Sequence, residues 1–409
     1  MFHSINTFSM TYVVRCFFIV ALLVVPFIAV SQNVPATAVD SARAETLNEV
    51  VIQATRAAAN SPIPHQNFSA AKLASFHQTQ DVPMLLSAVP SLVESSDAGI
   101  GIGYTGMRIR GSDPTRVNVT INGVPFNDAE SQLVYWVDLP DIAASVAEIQ
   151  VQRGVGSSTN GAGAFGATIN LDLSKVPSQA GGLVSSTLGS FGSRKFSSAT
   201  NTGILDGKWA FSARASSIHS DGYIERAKTD LKSLHLSGAY LGNKQTIQLH
   251  YLLGSELTYQ AWNGVPAQFI EIENLRTYNS AGTERLGSPH PNEVDNYVQQ
   301  HLMAHYKLQF RPNWMLQLNG HYTRGLGFYE QYKANQAYSD YGFSPWEVGG
   351  TLIESSNLIR QRWLSNHFYG GTFALRRSND DTFFNSSLLG GAWSRYEGKH
   401  FGKIVWSQY

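Results

Sequence analysis

The chain has 409 residues, room for more than one domain. Lys plus Arg and Asp plus Glu each total 30, a balance that argues against nucleic acid as a main partner. A mean hydropathy of -0.16 is too polar for a bundle of membrane helices, but a membrane β-barrel escapes that test because only alternate residues of its strands meet lipid.

At the N-terminus, Arg15 precedes an apolar run from Cys16 to Val30, and Ala29-Val30-Ser31 offers small residues at signal-peptidase spacing. Residues 1–31 read as a secretory signal peptide cleaved before Gln32. The run is short for ~30 Å of hydrocarbon, and Pro26 breaks it. Cleavage removes Cys16, the only cysteine, so the mature chain is expected to hold no disulfide. Residues 32–46 are small, polar and Ala-rich, as a flexible linker is. A β-prone strip, Leu47-Asn48-Glu49-Val50-Val51-Ile52-Gln53-Ala54, follows.

Asp81 to Pro90 predicts a short helix, with Asp81 or Thr79 as cap, Pro83 in the first turn and Pro90 as stop. Asp141 to Val146 predicts a second. Gly101-Ile102-Gly103-Tyr104-Thr105-Gly106 satisfies G-x-G-x-x-G, but strand-like Met107–Arg110 follows it where a dinucleotide site needs a helix N-terminus. It reads as a loop.

Met107 to Leu173 organises the chain. Met107-Arg108-Ile109-Arg110-Gly111 is followed by Val117 to Asp128, where Asn122-Gly123 between alternating apolar runs signals a hairpin. Glu148 to Gly154 and Gly161 to Leu171 complete a compact β-rich unit, with glycines that let backbones pass closely. The order of these pieces resembles the plug domain of TonB-dependent outer-membrane receptors. The resemblance implies a plug over residues 47–173 seated inside a barrel. It implies that Glu49, Val50, Val51, Ile52, Gln53 and Ala54 form a TonB box, which adds as a strand to the energy-transducing partner. An ordinary first plug strand remains the alternative for that segment.

From residue 182 the texture changes to long alternating segments. In Val298 to Phe310 one face holds Val298, Leu302, Ala304, Tyr306, Leu308 and Phe310, and the other Gln299, His301, His305, Lys307 and Gln309. Trp314 to Tyr322 alternates likewise. Strands are expected near 182–190, 194–203, 208–219, 231–241, 245–255, 296–310, 314–325, 360–377 and 382–396. Short links would lie on one side and long ones, notably 256–295 and 326–359, on the other, as in outer-membrane barrels. Trp209, Tyr240, Trp314 and Tyr322 near strand ends suit an aromatic girdle. The fold class is therefore an α+β plug followed by an antiparallel transmembrane β-barrel over 182–409, present as about nine strands of a family barrel of about 22. An open sheet in hydrocarbon would leave two edges unpaired, so the chain is expected to be part of a longer product.

No catalytic constellation and no Cys/His metal spacing stand out, so neither an enzyme nor a metal or cofactor site is expected. The resemblance implies an outer-membrane receptor that imports a scarce ligand, most often an iron–siderophore complex, with the TonB complex and outer-membrane lipid as partners. A glycan importer of the same fold, a passive porin or adhesin, or a nonfunctional fragment are the alternatives. Candidate ligand contacts lie in the apical plug loops, Ile100 to Thr105 with Tyr104 and Gln132 to Trp136 with Tyr135 and Trp136. Others lie in the outer loops: Tyr259, Trp262, Tyr329, Tyr332, Tyr338, Phe343 and Trp346. Their rings can stack on flat ligands. Arg108, Arg110 and Arg153 are expected to pair with acids of plug and wall, because an unpaired charge in that confined space is costly.

Overall fold

The computed structural model describes residues 56–57, 61–76, 79–156, 163–378 and 386–409. The expected signal peptide, the linker and the TonB-box-like segment Glu49–Ala54 lie outside the described residues.

The first part of the chain is a small α+β unit. Its five-stranded sheet comprises β1 (His65–Ser69), β4 (Val117–Ile121), β5 (Val124–Pro125), β6 (Glu148–Arg153) and β7 (Ala167–Asp172), in the order β1-β6-β7-β4-β5. The β4–β7 pair is parallel and the others are antiparallel. A separate hairpin joins β2 (Leu92–Ser96) to β3 (Thr105–Ile109). The expected tight turn is present: Asn122 and Gly123 take φ of 50° and 79°, values that Asn and Gly accept at low steric cost. Asn122 also ties the turn to β7, since its Oδ1 accepts from Leu173 N at 2.8 Å.

Two helices cover this sheet, α1 (Ala70–Phe76) and α2 (Val82–Leu85). Asp81 stands at the α2 N-cap without a side-chain cap bond, and its carboxylate accepts from Thr105 Oγ1 at 3.1 Å instead. The expected second helix is a single 3-10 turn, Ile142–Ala144.

Strands β4 and β7 are buried along their whole length, so both faces of the sheet are covered. One face is apolar, with Val119, Ile121, Ile149, Val151, Ile169 and Leu171. The other is polar and partly hydrogen-bonded within itself, as where Thr120 Oγ1 donates to Asn170 Oδ1 at 2.6 Å. Leu252 and Met303, which belong to the larger sheet described next, join the same apolar cluster. Ile169 is fully buried there. Ile169→Ala is expected to cost about 2–5 kcal/mol through lost burial and the cavity left behind, read as a lower denaturation midpoint.

The rest of the chain is one antiparallel sheet. Its nine strands are β8 (Gln179–Leu188), β9 (Arg194–Leu205), β10 (Trp209–Ser220), β11 (Thr229–Leu241), β12 (Gln245–Tyr259), β13 (Val294–Arg311), β14 (Trp314–Ala337), β17 (Ser355–Ser378) and β18 (Ser386–Ser407), each paired with its neighbour among these. A short ribbon of β15 (Trp346–Val348) and β16 (Thr351–Ile353) stands in the β14–β17 connection. Links 206–208, 242–244 and 312–313 lie at one end, and 189–193, 221–228, 260–293 and 338–354 at the other.

All nine expected strands are present, and most run further than expected at the long-loop end. β14 continues to Ala337 and β17 starts at Ser355, so half of the supposed 326–359 loop belongs to the two wall strands. Alternation fades above Leu326, yet backbone pairing does not depend on an apolar face. Tyr322 therefore sits in mid-strand and not near a strand end. Trp209 and Tyr240 are register partners at the short-link end, with ring centroids 4.8 Å apart.

The two faces sort as the alternation requires. Leu302, Leu318 and Leu326 are exposed, whereas His301, His305, Gln317 and Asn319 are buried. The polar face turns to the first unit: Gln248 Nε2 donates to Ser174 O at 2.7 Å, and His250 lies 3.4 Å from Asn122 Nδ2. The small unit thus lies against the polar face of the wall.

Candidate ligand-binding cavity

Above that unit, a cavity of about 1180 Å³ opens between its top loops and the wall. The loop Gly99 to Gly103 leads into Tyr104, which lines the cavity. Gly101 and Gly103 take φ of 74° and 92°, a region that disfavours side chains. The turn folds Ile102 inward against Val137 of the same unit and Ile218 and Leu231 of the wall. This is the loop expected from the glycine pattern.

Tyr104 leaves that loop toward the cavity. Its hydroxyl donates to Asp295 Oδ2 at 2.6 Å and lies 3.2 Å from Glu256 Oε1. Its ring stacks on Trp262, with centroids 5.7 Å apart and planes 16° apart. Trp262 in turn meets Tyr329 edge-on at 5.5 Å. Three candidates from different segments are therefore brought together, and Tyr135 lines the same cavity.

Other candidates serve elsewhere. Trp136 is 4% exposed and belongs to the apolar core, because its 3-10 turn (Trp136–Asp138) points the indole down. Tyr332 is buried beside His290 and Trp406. Tyr259 donates to His290 O at 2.7 Å and pins the 260–293 loop. Trp346 is exposed; its indole nitrogen donates to Tyr338 at 3.3 Å, and it lines a second cavity of about 510 Å³ with Tyr338 and Phe343. Phe343 borders the large cavity as well.

Two cationic residues that the sequence reading passed over stand on the wall. Arg360 and Arg362, two apart on β17, share a face. Arg362 Nη1 donates to the Tyr329 hydroxyl at 3.2 Å, and Arg360 Nη2 to Gln331 Oε1 at 2.9 Å. Neither is in an ion pair among the described residues. The Arg-x-Arg pattern at strand period was the available signal, but it fell at an expected strand boundary. Glu130, on the opposite loop, accepts from Tyr396 at 2.7 Å and bonds His400 at 2.9 Å. The hydrogen bonds from Tyr396 and His400 hold its carboxyl below the usual range.

The arginines expected to pair with acids of plug and wall do otherwise. Arg108 and Arg110 are exposed around the end of β3, and among the described residues neither they nor Arg153 form an ion pair. Arg153 Nε is buried without a hydrogen-bond partner. The tie between the units has the opposite polarity: Asp141 of the small unit pairs with Lys195 of β9 and accepts from Ser216 of β10. Arg108 and Arg110, at a strand end and the turn after it, are exposed to water at little cost, so those two need no acid.

Residues 57–168 match the family model of the TonB-dependent Receptor Plug Domain. The chain carries the plug domain of a TonB-dependent receptor. Solved structures agree on the fold of plug and wall together. The P. aeruginosa receptor FpvA bound to heterologous pyoverdines is 14% identical, with a TM-score of 0.56 over 85% of this chain and 44% of its own. The E. coli K12 ferric-catecholate import receptor Fiu, in its closed form, is 14% identical, with a TM-score of 0.54 over 79% of this chain and 48% of its own. BauA, the ferric preacinetobactin receptor from Acinetobacter baumannii, is 11% identical, with a TM-score of 0.58 over 84% of this chain and 48% of its own. The chain thus spans about half the length of these structures. No curated protein matches it by sequence. TonB-dependent receptors are outer-membrane transporters and not enzymes, which agrees with the lack of a catalytic constellation in the sequence. The small unit is hereafter the plug.

Proposed function

We propose that this chain serves energised uptake across an outer membrane, capturing a scarce ligand above the plug and passing it inward when the plug is rearranged from below. The observation that carries this reading is the cavity itself. It is lined by plug and wall residues together, and it gathers Tyr104, Trp262 and Tyr329 beside Arg360 and Arg362. Stacked rings suit a flat or aromatic ligand, and guanidinium forks suit anionic oxygens. An iron–siderophore complex fits both requirements. It is also the cargo class named for FpvA, Fiu and BauA.

Uphill import needs work, and an outer membrane holds no ATP. In this reading the TonB complex supplies the work through Glu49–Ala54, which pairs edge to edge as an added strand. Export through the signal peptide 1–31 and residence in the outer membrane complete the assignment. Val51→Pro removes one backbone donor from that strand. Cells carrying the variant are expected to bind a radiolabelled ferric catecholate at the surface and to lose its uptake. Uptake at the unsubstituted rate would remove the coupling role.

A further inference from the structure

The floor of the cavity differs in charge from the wall above it. Asp138 of the plug, Glu256 of β12 and Asp295 of β13 gather around the Tyr104 hydroxyl. A group of acids alone would mean little. The distinguishing feature is Asp138: it is 4% exposed, it lines the cavity, and its Oδ1 meets no donor among the described residues. A buried carboxylate oxygen without a partner is costly unless something supplies a donor or a positive charge.

We propose that this floor binds an organic cation, the protonated amine or guanidinium of the bound ligand. The proposal rests on the cavity being the ligand's, and it adds that the ligand carries a basic group and enters with that group toward the plug. An ammonium brings three donors and no acceptor, which suits three acids that present acceptors from three segments. Among the described residues no group of acids or histidines is arranged to hold a metal ion.

The titration of Asp138 gives the pH dependence. Burial, and then the negative charges of Asp295 and Asp128, push its carboxyl well above the usual carboxylate range. The groups around it are Asp128, Tyr104 and Tyr135 of the plug, Glu256, Asp295 and Tyr297 of the wall, and, across a smaller pocket, Arg214 and His235, where Arg214 interacts with Asp141. Asp138 therefore holds a proton more readily than an ordinary carboxyl, and a cation bound beside it favours the charged form. Cation affinity should rise with pH as that proton becomes easier to lose.

The test uses the full chain in detergent micelles and ligand-observed saturation-transfer NMR. The probes are 1,6-diaminohexane, the uncharged 1,6-hexanediol and calcium chloride. The diamine is expected to bind saturably and more tightly at pH 8 than at pH 5, and the diol is not. Asp138→Asn, which keeps the shape, and Glu256→Gln are each expected to weaken the diamine at least about tenfold, with the thermal midpoint recorded to confirm folding. Equal binding of diol and diamine, unchanged affinity in both variants, binding of calcium but not of the diamine, or no saturation by the diamine would each overturn the proposal. The measurement needs no energy source. Its failure would leave the uptake reading to the Val51→Pro experiment, and failure of that experiment would leave this one intact.

Discussion

Lys195→Met should destabilise the protein by about 3 kcal/mol or more, the usual cost of removing one partner from a buried ion pair. Lys195 and Asp141 have side chains that are 6% and 0% exposed. Asp141 also takes a left-handed conformation, with φ of 60°, at the turn before the 3-10 segment. The plug is therefore held to β9 and β10 at a point where neither charge reaches water. Removing the ammonium leaves the carboxylate with Ser216 and with less neutralisation than it now has. The expected observation is a lower midpoint in denaturant, together with faster trypsin cleavage within the plug. Lys195→Met combined with Asp141→Asn should recover part of the loss, because the carboxylate is removed together with its ammonium, although Arg214 then loses its interaction with Asp141. A double variant as unstable as the single one would mean that Lys195 acts through packing.

Gly254→Ala should cost about 3 kcal/mol, the upper end for overpacking. Gly254 lies on β12 where the wall meets the plug, and a Cβ built there overlaps the carbonyl oxygen of Asp138 and crowds Pro140. The obstacle is backbone and not the free end of a side chain, so relief requires the plug to move off the wall. Gly320→Ala provides the matched comparison, since its Cβ would meet nothing within 4 Å. That substitution should be neutral or slightly stabilising through the unfolded chain. Equal midpoints for the two variants would show that plug and wall do not touch closely at Gly254.

Much of the architecture was readable from local pattern. The Asn122-Gly123 turn depends on two residues with positive φ and on their apolar flanks, all within a few positions. The wall strands announce themselves because their two faces carry opposite polarity on neighbouring residues, as exposed Leu302 and buried His301 illustrate. Where that demand ends, so does the signal: β14 runs to Ala337 although its alternation fades near Leu326. The cavity was only partly readable. Tyr104, Trp262 and Tyr329 stood out as loop aromatics, but so did Trp136, and its indole is in the core. A ring carries the same apolar surface in either place, and only the path of the backbone selects between them.

What the residue order determined on its own was period and turn, and hence a β-rich plug followed by a long antiparallel wall. Those properties arise from neighbours one to four positions apart, for which steric and burial constraints are local. Tertiary structure decided which charges meet. Lys195 and Asp141 are 54 positions apart, and Tyr104 and Asp295 are 191 apart. Pairing at such separations depends on the register of β9 and β13 against the plug. That register is set by the summed packing of many residues, and no short stretch of chain encodes it.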